Sequence, residues 1–263
     1  MKTALTLALS LFAGVVHADI SVLAGVIADV VILGETHDNP QHHLLQAAAI
    51  GIVAPKAVVF EMLSADQAAR ITPDLQGNLE DLNQMLDWDN SGWPPFAEYA
   101  PIFHAAAAMR IYGGALTDIQ IDQVFASGAA SVFGTDAAGY GLTQPLSPAD
   151  QTARQDEQRS AHCGKLPEDL LGGMVQVQRA RDAMLAKAVV AALYDTGGPV
   201  VVITGSGHAR RDSGIPAVLA VALPELTVFS LSLTEQPLGA DAPFDAWVLT
   251  DAVARPDPCL AFQ

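Results

Sequence analysis

Val30-Val31-Ile32-Leu33-Gly34-Glu35-Thr36-His37-Asp38-Asn39-Pro40-Gln41-His42-His43 is the stretch from which the rest of the chain can be read. An apolar run stops at Gly34, and a carboxylate, a hydroxyl and an imidazole follow at once. Apolar runs of this length, bounded by turn residues, are interior strands of parallel sheets, covered on both faces. Pro40 fits the first helical position, with Asn39 or Asp38 as cap, and opens a helix to Val53. In open α/β sheets ligands bind beyond the carboxyl ends of the strands. Glu35 and His37 stand at that edge.

The same grammar recurs twice. Ala57 to Phe60 is a second apolar run, ending in Glu61. Pro199 to Thr204 is a third, ending in Gly205-Ser206-Gly207-His208, so that Gly-x-x-His closes two strands. Glycine allows the tight turn that points an imidazole back over a strand end. The β-α-β unit around residues 30–60 is expected to be right-handed and parallel. Were its strands neighbours, Glu35 and Glu61 would stand about 5 Å apart. Further strands are expected over residues 110–116, 225–233 and 244–250. The fold class is therefore α/β: a mostly parallel central sheet flanked by helices, with a helical insert or lid over roughly 64–109 and 120–195. Within it, Leu170 to Leu193 reads as a long amphipathic helix. Its Gln178, Arg179, Arg181 and Asp182 form a solvated face unless the helix covers the crevice.

Charge and cysteine usage narrow the classes. A net charge of −16 on 263 residues argues against nonspecific binding to nucleic acid or anionic membrane. Lys2, the apolar run Ala4 to Val16 and the small-residue site Val16-His17-Ala18 form a signal peptide over residues 1–18. No cysteine follows to accept a lipid, so the expected product is a soluble, exported, periplasmic domain spanning 19–263. Both cysteines, Cys163 and Cys259, would then pair in an oxidising compartment.

Glu35, His37, Glu61 and His208 form a carboxylate–imidazole set suited to general base catalysis or to holding a divalent metal. A second feature is the turn-rich segment Trp88 to Tyr99, with two of the three tryptophans, which reads as a binding wall. There is no Gly-x-Gly-x-x-Gly, Walker, His-Glu-x-x-His or Gly-x-Ser-x-Gly motif after any strand.

Several segments together resemble the ChaN-like family of haem-binding uptake proteins. They are Gly34 to His43, Val59 to Leu63, Trp88 to Tyr99, His162-Cys163-Gly164, Gln178 to Asp182 and Gly205 to Pro216. That family is similar to a larger grouping with the erythromycin esterases and the Tiki and TraB proteins. The resemblance implies haem bound at a homodimer interface, a tyrosine as iron ligand, and passage to or from an outer-membrane haem receptor or transporter. Of the four tyrosines, Tyr99 in the aromatic segment is the first choice, with Trp93 beside it, and Tyr140 between two glycines the second. Arg210 and Arg211, or Arg179 and Arg181, would meet the propionates, and His104 and His162 are alternative partners. The alternative the resemblance leaves open is a hydrolase of esterase or peptidase type, working through the Glu/His crevice with or without a divalent metal.

Overall fold

The computed structural model describes residues 19–257 and 259–260. The expected signal segment, residues 1–18, lies outside the described residues. Six strands form one fully parallel sheet in the order β3-β2-β4-β1-β5-β6. They are β1 (Val30–Glu35), β2 (Ala57–Phe60), β3 (Arg110–Gly113), β4 (Val200–Gly205), β5 (Val228–Thr234) and β6 (Ala246–Leu249). Every residue of β1, β2 and β4 is buried, as their unbroken apolar runs require.

Side chains alternate across the sheet and divide the core in two. Val31 and Leu33 of β1 face one layer with Phe60, Phe103 and Trp88. Val30 and Ile32 face the other, with Leu185, Val189 and Leu219. The first layer is built by α1 (Pro40–Val53) and α5 (Phe96–Ala105), joined by the short helices α2 (Ala65–Ala69), α3 (Pro73–Gln76) and α4 (Leu79–Leu86). The second is built by α8 (Glu168–Thr196) and α9 (Ile215–Ala222). Between β3 and α8 run α6 (Asp118–Ser127), two 3₁₀ turns and α7 (Pro148–Ala161). The result is helix, sheet, helix around one continuous sheet.

Three expectations change here. β4 lies between β1 and β2, so Glu35 and Glu61 are not on adjacent strands and the 5 Å spacing does not apply. The aromatic segment is mostly interior: Trp88 and Tyr99 are fully buried, and Trp88 packs on Phe96, Tyr99 and Phe103. Of that segment, Trp93 packs on His37 at the strand-end edge, and Tyr99 reaches it from inside through its hydroxyl. Finally, α8 is a structural layer of the sheet, longer at both ends than its sequence pattern, and its polar face is partly interior. Arg179 and Asp182 are both buried.

Cys163 and Cys259 form a disulfide that fastens the C-terminal segment to the turn after α7. Closing a loop of 96 residues stabilises the chain by on the order of 4 kcal/mol in the chain-entropy account. No helix among the described residues is long and apolar enough to cross a membrane.

Candidate functional site

The parallel register puts all four predicted crevice residues at one end of the sheet. Glu35 is paired with Gly205 across β1 and β4, and Glu61 follows the Phe60–Ile203 pair. His37 bridges the two carboxylates that β4 separates. Its Nδ1–H donates to Glu35 Oε1 at 2.8 Å, and its Nε2 lies 4.0 Å from Glu61 Oε2. The His37 ring rests against Trp93, with centroids 4.9 Å apart. Gly205 makes this possible, since a Cβ there would fall 2.7 Å from His37 Nε2.

Behind His37 the network is buried. Glu61 Oε2 accepts from Thr204 Oγ1 and from the Gly205 N–H, each at 2.7 Å. Glu61 Oε1 faces His208 Nε2 at 3.4 Å, and His208 Nδ1–H donates to Asp182 Oδ1 at 2.6 Å. Helix α9 starts directly after, the Ile215 N–H donating to the His208 carbonyl at 2.8 Å. Gly214 is obligatory at that junction because a Cβ would lie 2.2 Å from the same oxygen.

Electrostatics follow from this geometry. Burial disfavours charge on His208, but Glu61 and Asp182 outweigh it and push its pKa up to about 10. Burial likewise raises the Asp182 carboxyl, against the pull of His208. For Glu61, burial is overcome by His208, His37 and the Gly205 N–H, which hold it well below the usual carboxylate range. His37 is raised because its Glu35 hydrogen bond and the nearby carboxylates exceed the burial effect. Burial also works against the Glu35 charge, yet His37 and His43 keep its pKa lowered. Carboxylates and imidazoles thus alternate from Glu35 through His37, Glu61 and His208 to Asp182, and His208 is an imidazolium at neutral pH.

The remaining histidines of the opening stretch are structural. His42 accepts from the Thr36 N–H at Nδ1 (2.9 Å) and donates from Nε2 to Thr250 Oγ1 (2.7 Å). Burial pushes its pKa down to about 4, so it stays neutral and ties the β1 edge to the residue after β6. His43 is buried with Nε2 3.5 Å from Glu35 Oε2, and its ring packs on Tyr99. Asn39 is the helix cap, its side chain accepting from the Gln41 N–H.

Tyr99, the first choice as iron ligand, has no exposed surface, and its hydroxyl donates to Glu35 Oε1 at 2.7 Å. Burial and the Glu35 charge raise its pKa far above that of a free phenol. It positions Glu35 and offers no face to an iron. Arg210 and Arg211 are also committed, to Asp212 at 2.7 Å and to Asp245 at 2.8 Å. Tyr140, the second choice, differs. Its ring leans on Phe133, and its hydroxyl has no hydrogen-bond partner among the described residues. It lines a cleft of about 140 Å³ with Leu142, Leu146, Arg154, Arg179, Asp182 and Val218.

Asp182 and Arg154 went unread as site residues in the sequence. Asp182 belonged to the recognised Gln178 to Asp182 segment, but only the packing of α8 under His208 reveals its role. No local signal marks Arg154 within the polar run of α7. Among the described residues no group of three or more His, Cys, Asp or Glu side chains is arranged to hold a metal ion.

Comparison with known proteins matches these features to one family. The profile described as "Haem-binding uptake, Tiki superfamily, ChaN" covers residues 26–219. Among solved structures, ChaN of Campylobacter jejuni, described with cofacial haem binding, aligns with TM-score 0.65. It shares 18% identity over 87% of this chain and 89% of that chain. The type III effector HopBA1 aligns at 0.43, with 13% identity over 81% of each chain. An erythromycin esterase, EreC, aligns at 0.41, with 12% identity over 86% of this chain and 78% of that one. No curated protein matches. With the profile running from before β1 through most of α9, the chain belongs to the ChaN family of haem-binding uptake proteins in the Tiki superfamily.

Proposed function

We propose that this chain is an exported, periplasmic protein that binds haem during iron acquisition, with Tyr140 as the iron ligand. The family match over residues 26–219 carries the haem reading. For the ligand, the support is Tyr140, whose hydroxyl is unpartnered among the described residues and which lines a cleft with Leu142, Leu146 and Val218. A bound haem supplies a ferric iron, for which a phenolate is a known protein ligand. Leu142, Leu146 and Val218 line the slot for a macrocycle edge, and Arg154 and Arg179 stand beside it. The cleft admits only an edge of a porphyrin, so much of the haem face needs cover from outside. A second copy of the chain provides it in this reading, in keeping with the cofacial haem described for the Campylobacter jejuni protein. Handover to an outer-membrane receptor or transporter completes the proposal. Titrating the mature protein with hemin is expected to give a saturable shift of the Soret band. A linear, unsaturable rise sinks the haem reading.

A second reading rests on one observation. His37 has a third of its side chain exposed, with Nδ1 fixed by Glu35 and Nε2 facing Glu61 Oε2 at 4.0 Å. That is the arrangement of a general base with its orienting carboxylate. In this reading the site hydrolyses an ester or peptide, with Glu61 and His208 setting the charge behind it. His37→Ala is then expected to remove ester hydrolysis by the purified protein while hemin binding persists. Equal hydrolysis by wild type and variant rejects it.

A further inference from the structure

Among the described arginines without a salt bridge, Arg154 and Arg179 are the two that line a cleft together. Neither has a carboxylate within salt-bridge distance among the described residues, although Arg159, Arg210, Arg211 and Arg255 all do. Both line the Tyr140 cleft, one from α7 and one from α8. Arg179 is 9% exposed, and its Nη2 donates to the Gly141 and Gln144 carbonyls at 3.0 and 2.8 Å. Arg154 donates from Nη2 to the Ser213 carbonyl at 3.3 Å. A guanidinium has five N–H donors in a fixed fork, and each of these uses only one nitrogen. Burial, and after it the charge of Arg154, depress the pKa of Arg179, so the two cations repel across the cleft. The one acid on the wall, Asp182, is hydrogen-bonded to His208.

We infer that Arg154 and Arg179 form the carboxylate-binding end of the Tyr140 cleft and receive the propionates of the haem. This rests on the haem reading above, and it moves the propionate contacts away from Arg210 and Arg211. Two unpaired guanidiniums in a half-buried slot present a bidentate fork to a planar carboxylate. A carboxylate between them removes their mutual repulsion and completes donors that no protein group uses. Leu142, Leu146 and Val218 leave the rest of the cleft apolar, which suits an acid whose body is hydrophobic.

The test compares hemin with its dimethyl ester, in which both propionates are uncharged, by Soret titration of the mature protein. Wild type is expected to bind hemin about tenfold more tightly than the ester, the size of one charge-assisted hydrogen bond. Arg154→Gln is expected to weaken hemin by about the same factor and to leave the ester unchanged. Arg154→Lys keeps the charge but not the fork, and is expected to fall between the two. Hemin binding by Arg154→Gln equal to wild type overturns the inference and leaves the haem reading standing. An equal loss for hemin and ester also overturns it, since the arginine then acts only on the shape of the cleft. A wild type that binds neither ligand takes the haem reading down with it.

Discussion

Phenylalanine at Tyr140 is expected to weaken hemin binding by at least about 100-fold. That exceeds the 10- to 100-fold cost usual for an outer-shell partner of a metal ligand. The substitution removes one oxygen and keeps the ring against Phe133, so the cleft and the fold are preserved. What goes is the phenolate. The optical spectrum is expected to lose its phenolate-to-iron charge-transfer band while any residual hemin shows the spectrum of a weakly or differently ligated iron. Burial raises the Tyr140 pKa, with Lys187 pulling it down and Asp136 up, so the free protein carries a phenol at neutral pH. Coordination therefore releases a proton, and wild-type affinity is expected to rise roughly tenfold per pH unit on the alkaline side of neutrality. Tyr140→Phe should lose that slope. Unchanged affinity and an unchanged pH slope in Tyr140→Phe remove Tyr140 from the iron, and Tyr99→Phe is not expected to substitute for it, because Tyr99 is enclosed.

Glu61→Gln is expected to cost about 3–5 kcal/mol of stability, the range for breaking one partner out of a buried ion network. At this chain length that lowers the melting midpoint by roughly 6–20 °C. The reason is specific. Glutamine can still accept from Thr204 and Gly205, but its amide cannot offset the imidazolium of His208, which is buried 3.4 Å from Oε1. The pH dependence has a definite sign. His208 is raised from 6.5 to about 10, so its stabilisation is complete below pH 6.5, declines above it and is gone near pH 10. Glu61 is held below its ordinary 4.5, so its stabilisation is complete above that value and is lost as pH falls through the depressed pKa. Wild type is expected to gain most from this pair between those two ordinary values. In Glu61→Gln the alkaline decline flattens, because His208 has lost its strongest anion. Thermal melts across this pH range decide it; identical curves for the two proteins would show that the network does not carry charge as described.

The strand pattern and the sites it implies were legible for different reasons. Val30 to Leu33, Ala57 to Phe60 and Val200 to Ile203 read as buried strands because parallel strands covered on both faces must be apolar throughout. Each is followed by a residue that breaks the pattern, and Glu35, His37, Glu61 and His208 did converge. The order of strands was not in that pattern, because every interior strand carries the same signal. Hence the adjacency of Glu35 and Glu61 stayed conditional in the sequence, and only the insertion of β4 assigns His37 and Gly205 the space between them.

The ligand side was less legible. A concentration of aromatics marks a wall or a core equally well, and here Trp88, Phe96, Tyr99 and Phe103 form core, Tyr99 touching the crevice only through its hydroxyl, while Trp93 packs on His37. A charged residue in the sequence carries no sign of whether it is paired. Arg210 and Arg211 sit in the recognised motif yet are spent on Asp212 and Asp245, whereas Arg154 sits in an ordinary polar helix and has no carboxylate partner among the described residues. By itself, then, the sequence determined the α/β class, the sheet edge where the polar groups gather, and the family, since these follow from local periodicity and short ordered motifs. Tertiary structure alone decided strand order, the buried pairing of Asp182 with His208, and which tyrosine and arginines remain available. Those depend on contacts between segments far apart in the chain, where burial and the nearest opposite charge choose among chemically equal candidates.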